Sequence, residues 1–130
     1  MLAPRTTTVP ATPAGPGAAR EFVRSALSDC SQTEVVSAAE LMASELVTNS
    51  VLHGSPPIHV NIRHDADSVR VAVDDAGVGH PTPGSPQEDD PNGRGLFIVR
   101  SLAQDWGVVE HAPGKSVWFS LPCSPSAKQR

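Results

Sequence analysis

Residues 33–54 read TEVVSAAELMASELVTNSVLHG, and this stretch decides the fold. Apolar residues recur in it about every 3.6 residues, which is the period of an α-helix. The apolar stripe consists of Val35, Ala39, Met42 and Leu46, and the opposite side carries Ser37, Glu40, Ser44 and Thr48. The pattern predicts a long helix that buries one face.

Both ends of this helix are marked in the sequence. Ser31 and Glu34 have the spacing of a capping box, in which each side chain satisfies an unpaired backbone N–H of the first turn. Gly54 ends the stretch and is typical of a helix C-cap. We therefore expect the helix to cover residues 33–53.

The 13 prolines divide the rest of the chain into shorter elements. Helical spacing is found over residues 17–28 and again from Gly95. Residues 76–92 hold glycine, proline and acidic residues without periodicity and predict a long loop. Alternation of β-branched and polar residues predicts two antiparallel hairpins, with strands at 57–65 and 68–76 and at 105–112 and 116–122; a further strand is possible at 6–9.

This order of elements predicts an α+β fold. Helices and strands in such an order pack as two layers around one core. We expect a two-layer α/β sandwich with a mixed, mostly antiparallel sheet that is covered on one face by helices. At 130 residues, the chain has the size of one domain.

Composition and charge exclude several classes of function. A net charge of -4, without a cluster of Lys and Arg, argues against direct nucleic-acid binding. No apolar run approaches the roughly 20 residues that span a bilayer, and the N-terminus lacks the apolar region of a secretory signal, so we expect a cytoplasmic protein away from the membrane. Cys30 and Cys123 are expected to be reduced thiols, and the histidines show no metal-ligand spacing.

Two polar residues of the long helix stand out. Glu45 and Asn49 lie one turn apart, and Asn49 falls close to the apolar stripe. A buried amide needs a hydrogen-bond partner, because leaving it unpaired costs about 1–3 kcal/mol. The partner of Asn49 is either a ligand or simply a backbone carbonyl or trapped water, and Glu45 taken alone reads as a solvated residue beside the stripe.

A second group of residues follows the strand at 68–76. Asp75 is followed by Gly77 and Gly79, and glycines at alternate positions let the backbone approach a flat ligand closely. A buried carboxylate there can accept a hydrogen bond from an exocyclic amine such as that of adenine. An ordinary turn can have the same spacing.

A third group is Asn92-Gly93-Arg94-Gly95-Leu96, at the entry to a helix. Free backbone N–H groups at a helix N-terminus bind phosphate, although a plain loop-to-helix junction looks similar. The chain contains neither a GxxxxGK[ST] phosphate loop nor a complete GxGxxG in a βαβ context, which excludes the commoner phosphate sites.

The three groups together are more specific than any one of them. ELVTN at 45–49, DDAGVG at 74–79 and NGRGL at 92–96 resemble, in this order, the N, G1 and G2 boxes of the GHKL ATPases (gyrase, Hsp90, histidine kinase and MutL). GKSVW at 114–118 resembles the closing strand of the RsbW-like anti-sigma kinase branch. The resemblance implies the Bergerat, or histidine kinase-like, ATPase fold over 17–122, with an N-terminal segment at 1–16 that holds at most an edge strand and a flexible tail at 123–130.

The resemblance also implies a role for each matching residue. Asn49 would hold Mg2+, Asp75 would recognise the adenine amino group of ATP, and Glu45 would be the general base. Gly77 and Gly79 would let the base lie close. The phosphates would be covered by Gly93, Arg94, Gly95 and Leu96, and Ser116 would line the base pocket.

Within the superfamily, the short chain favours the stand-alone branch, since no helical segment with a phosphoacceptor histidine and no second domain is evident. That branch implies an anti-sigma factor serine/threonine-protein kinase that sequesters a sigma factor and phosphorylates an anti-anti-sigma protein of the STAS type, as a homodimer. The alternative is a nucleotide-gated binding module without phosphotransfer. A structural adaptor that binds no nucleotide is a third possibility.

Overall fold

The computed structural model describes residues 4–65, 67–77, 98–111 and 114–123. Within them, two helices and five strands follow one another along the chain. The elements are β1 (Arg5–Val9), α1 (Gly15–Ala26), α2 (Thr33–His53), β2 (Ile58–His64), β3 (Ser68–Asp75), β4 (Asp105–His111) and β5 (Gly114–Pro122). Residues 98–102 are also helical, in agreement with the helix predicted from Gly95.

The strands form one sheet with the order β1-β2-β3-β5-β4, and every pairing among the described strands is antiparallel. Both hairpins expected from the sequence are present, as β2–β3 and β4–β5. The possible strand near the N-terminus is also present, as the edge strand β1. β3 and β5 lie side by side, which brings Asp75 opposite Lys115.

One face of the sheet carries the core. Every second side chain of β2, β3 and β5 is buried, as the period of two in a strand requires. α1 packs against β1 and β2, and α2 packs against β2, β3 and β5. The predicted α+β sandwich with helices on one face is therefore confirmed. Cys30 and Cys123 are both free and buried.

The long helix α2 has the predicted bounds, and Ala39, Met42 and Val47 on it are fully buried. Among the described residues, α2 is the one helix long and apolar enough to cross a bilayer by length and composition. It packs against both α1 and the sheet, as the core helix of a globular domain does. Its long apolar surface is thus accounted for by the core.

The N-terminus of α2 differs from the prediction. The N-cap residue is Gln32, in an extended conformation, and it makes no side-chain capping hydrogen bond. Because Ser31 lies one residue before the cap, the capping box predicted for Ser31 and Glu34 is wrong. At the other end, Gly54 is the C-cap as expected, and its N–H donates to Ser50 O at 2.8 Å.

Helix α1 begins two residues earlier than predicted and also ends two residues earlier. Pro16 lies in its first turn, where a missing N–H leaves no intrahelical hydrogen bond unmade. The proline therefore starts the helix and does not mark the loop before it. The predicted loop at 76–92 lies largely outside the described residues.

Candidate functional site

Asp75, the last residue of β3, is the most completely bonded carboxylate of the described chain. Its side chain is 1% exposed. Oδ2 accepts a hydrogen bond from Ser50 Oγ at 2.6 Å, and Oδ1 accepts one from the Gly77 N–H at 2.7 Å. Lys115 Nζ lies 3.0 Å from Oδ1 and 3.1 Å from Oδ2. Three segments of the chain, at α2, β5 and the turn after β3, therefore meet at one side chain.

The charged form of Asp75 is favoured at this position. Burial alone would raise the pKa of the carboxyl group, because it disfavours the charged form. The hydrogen bonds from Ser50, Gly77 and Lys115, together with the positive charge of Lys115, outweigh burial and leave the pKa of Asp75 below its ordinary value. Asp75 is thus a carboxylate at neutral pH.

Two glycines let the end of α2 approach this carboxylate. A Cβ on Gly54 would lie 2.6 Å from the Asp75 carboxyl carbon. A Cβ on Gly77 would lie 2.8 Å from Gly54 Cα. The Ala76 N–H donates to Ser55 O at 3.0 Å and joins the same two segments. Gly77 was predicted to make room for a flat ligand, and within the described structure the space beside it is filled by Gly54.

Asn49 and Glu45 lie on α2, the helix whose last turn bonds this carboxylate through Ser50. Asn49 directly precedes Ser50, whose hydroxyl donates to Asp75, so the backbone of Asn49 lies near the end of β3. Both Asn49 and Glu45 are half-buried. Nδ2 of Asn49 is buried and has no hydrogen-bond partner among the described residues. An unpaired buried amide of this kind is the observation that points to a ligand here.

Ser116, the residue predicted to line the base pocket, lies on the other side of the sheet from this arrangement. Ser116 pairs with Asp74 across β3 and β5, and its hydroxyl is bonded to the Asp74 carboxylate. Because side chains alternate along a strand, both project from the sheet face opposite to that of Asp75. The residue of β5 that faces Asp75 is Lys115.

Lys115 was missed by the sequence analysis. It is 9% exposed as a residue, which is unusual for lysine. One pattern in the sequence could have identified it. The buried positions of β5 alternate along the strand, and they are Lys115, Val117, Phe119 and Leu121. That register places Lys115, and not its neighbour Ser116, on the core side.

The remaining predicted site residues, Gly79, Gly93, Arg94, Gly95 and Leu96, lie outside the described residues. Within the described ranges, no group of three or more His, Cys, Asp or Glu side chains could hold a metal ion. A metal ion at this site would therefore be held by one or a few protein ligands. Water or a bound anion would supply its other ligands.

Comparison with known proteins gives a family and a fold. Residues 9–121 match the family model described as the histidine kinase-like ATPase domain. The structure is similar to that of the RsbU and RsbW domains of Rv1364c from Mycobacterium tuberculosis, with a TM-score of 0.71 and 20% identity over 94% of this chain and 33% of that one.

A second similar structure is the histidine kinase domain of the blue-light activated histidine kinase of Erythrobacter litoralis EL346. The TM-score is 0.56 and the identity is 20%, over 84% of this chain and 59% of that one. The chain thus spans about a third of the first protein's length and under two thirds of the second's. No curated protein matches the sequence.

Proposed function

Since the chain belongs to the family of histidine kinase-like ATPase domains, we propose that it binds ATP with Mg2+ at Asp75 and Asn49 and acts as an anti-sigma factor serine/threonine kinase. The observation that carries the nucleotide site is the bond between Ser50 on α2 and Asp75 at the end of β3. This bond joins the helix that carries an unpaired amide to the strand that ends in a buried carboxylate, and these are the two groups that we assign to nucleotide binding.

The residue proposed to recognise the adenine base is Asp75. A buried carboxylate held ionised by its neighbours is an acceptor for the exocyclic amine of adenine. Burial strengthens such a hydrogen bond, since little water competes with it. The resemblance of the chain to the GHKL ATPases supports this role.

Asn49 is the proposed protein ligand of Mg2+. Its amide carries an oxygen acceptor beside the unpaired nitrogen, and a hard cation takes amide oxygens, waters and phosphate oxygens. The residues present therefore fit the ion. When bound, Mg2+ would neutralise charge on the phosphate oxygens.

Phosphate contacts and the general base complete the proposed machinery. Gly93, Arg94, Gly95 and Leu96 would cover the phosphates, as the resemblance implies. Glu45 would accept the proton of the substrate hydroxyl. That oxygen would form a bond to the γ-phosphorus while the bond from phosphorus to the bridging oxygen breaks and ADP leaves with the electron pair. Little beyond positioning and charge stabilisation is required for this transfer.

The proposed substrate is a serine or threonine of a STAS-domain anti-anti-sigma protein, and the proposed second partner is a cytoplasmic sigma factor. We propose on the same basis that the protein forms a homodimer. The support is the resemblance of GKSVW at 114–118 to the RsbW-like branch, together with the fold shared with part of the structure that contains the RsbU and RsbW domains. The second candidate, a nucleotide-gated binding module, keeps the same ATP site and lacks the transfer step.

One assay separates these two functions. The protein is incubated with Mg2+, ATP labelled on the γ-phosphate and a panel of STAS-domain proteins, beside a Glu45→Ala variant. Label on serine or threonine of one panel member, absent with the variant, is the expected result. ATP binding without transfer to any member would favour the binding module.

A further inference from the structure

The hydrogen-bonding capacity of Asp75 is fully used in the structure. Oδ1 accepts from the Gly77 N–H and from Lys115 Nζ, and Oδ2 accepts from Ser50 Oγ and from the same Nζ. A carboxylate offers about four lone-pair positions, and all are taken. An exocyclic amine therefore has no acceptor on Asp75 while these donors stay in place.

The three groups that donate hydrogen bonds to Asp75 differ in how easily they can move away from it. The Gly77 N–H belongs to backbone that is packed against Gly54. Ser50 has a short side chain on the last turn of α2 and is 6% exposed. The Lys115 ammonium sits on four rotatable methylenes, and its side chain is 11% exposed against 1% for Asp75. Lys115 is thus the donor that can move towards solvent.

The position of Lys115 also places it where the base is expected. It is the residue of β5 directly opposite Asp75, on the same sheet face. Gly114, one residue earlier, has no room for a Cβ, because one would overlap the Asp75 carbonyl oxygen. β5 therefore lies tight against the end of β3, and the ammonium reaches the carboxylate across this contact.

We propose that Lys115 competes with the base for Asp75 in the nucleotide-free protein: its ammonium occupies the positions on Asp75 that the exocyclic amine of the base needs, so that amine can bond Asp75 only when the ammonium withdraws. This rests on the proposed function, in which Asp75 reads the base. The exchange replaces a charge-assisted hydrogen bond by one from a neutral amine, which is the weaker donor. The consequence is a lower affinity for ATP than the same pocket would have without the ammonium.

A neutral variant of similar length tests the sign of this effect. Lys115→Met removes the ammonium, and ATP binding with Mg2+ is followed by calorimetry in both proteins. We expect the variant to bind ATP roughly tenfold more tightly, the factor that about 1.4 kcal/mol represents. Weaker or unchanged binding by a folded variant would overturn the proposal, because Lys115 would then help the base or be indifferent to it.

Two controls make the result specific. ITP carries a carbonyl oxygen where ATP carries the exocyclic amine, so it does not compete for Asp75, and Lys115→Met is expected to leave its affinity unchanged. An equal gain for ITP would indicate a general loosening of the pocket and would count against the proposal. Lys128 is the only other lysine of the sequence, and Lys128→Met is expected to bind ATP as the wild type does.

A second measurement uses the unaltered protein and does not depend on the folding of a variant. With two lysines in the sequence, 15N-lysine labelling gives two side-chain signals, and Lys128→Met assigns them. The Lys115 ammonium protons are expected to exchange slowly without nucleotide and rapidly once ATP is bound. Slow exchange that persists at saturating ATP would overturn the proposal.

The results also separate this proposal from the proposed function. If neither the wild type nor Lys115→Met binds ATP at millimolar concentration, both fail. If the wild type binds ATP, Asp75→Asn does not, and Lys115→Met shows no gain, the nucleotide site stands and the role of Lys115 is refuted.

Discussion

Ser50 Oγ lies 2.6 Å from Asp75 Oδ2, and this hydrogen bond joins the last turn of α2 to the end of β3. The two residues are 25 positions apart in the sequence. Because Asn49 and Glu45 lie on the same helix, the bond sets the distance between the proposed magnesium ligand and the proposed base-reading carboxylate. Changes at the α2–β3 junction should therefore affect nucleotide binding before they affect the fold.

Asn49→Ala is expected to abolish Mg2+-dependent ATP binding and to leave the fold intact. The variant removes the amide whose Nδ2 is buried without a partner among the described residues, so its loss costs little stability. Binding is measured by titration of ATP with and without Mg2+. Asn49→Asp, which keeps an oxygen at this position, serves as the control. Unchanged Mg2+ dependence in Asn49→Ala would refute the ligand assignment.

Glu45→Ala is expected to bind ATP normally and to lose phosphotransfer. We propose that Glu45 takes the substrate proton, and general-base catalysis contributes roughly 10²–10⁴-fold to a rate. ATP affinity and transfer of the γ-phosphate are measured on the same preparation. Glu34→Ala, which alters a carboxylate in the first turn of α2, controls for loss of charge. Normal transfer by Glu45→Ala would show that the assignment is wrong.

Gly54→Ala is expected to weaken both stability and ATP binding. The new methyl group would lie 2.6 Å from the Asp75 carboxyl carbon, and such overpacking costs about 1–3 kcal/mol. Gly17→Ala is the matched control, because its Cβ would meet only an Arg20 side-chain nitrogen at 3.5 Å. The free energy of unfolding in urea is compared for the two variants. Equal stability of both would contradict the close approach at Gly54.

Lowering the pH should reduce the free energy of unfolding, because the Asp75 carboxylate becomes protonated. The pKa of Asp75 is lower in the folded protein than its ordinary value, since three donors bond the carboxylate. The resulting stability is fully present above the unfolded-state value of about 4 and is lost as the pH falls through the lower folded value. This contribution is measured by comparing the free energy of unfolding in urea for the wild type and Asp75→Asn. The measurements start at pH 6 and continue to the lowest pH at which both proteins are folded. The same acid dependence in both proteins would exclude Asp75 as its source.

The sequence predicted the fold, because the fold depends on strong periodic patterns. That α2 and the end of β3 contribute to one site was implied only by the resemblance of their motifs to those of the GHKL ATPases. Met42 and Leu46 define the buried face of α2 by themselves, and the alternation in β2 and β3 identifies the hairpin. Local patterns failed at helix ends. Pro16 looked like a loop residue and lies in the first turn of α1.

The spacing of the sequence motifs does not identify Lys115 as a site residue. The resemblance singled out Ser116, one residue away, and a shift of one residue in a strand moves a side chain to the other face of the sheet. The pairing of Asp75 with Lys115 depends on the register between β3 and β5, and these strands are separated in the chain by residues 76–113, which include β4. Only the assembled sheet sets that register.

The most direct test of the nucleotide site is calorimetric titration of ATP and Mg2+ into the wild type and Asp75→Asn at neutral pH. The account predicts a saturable heat with the wild type and none with Asp75→Asn, provided that circular dichroism shows both to be folded. The absence of any heat with the wild type at millimolar ATP, or equal binding by the two proteins, would contradict it.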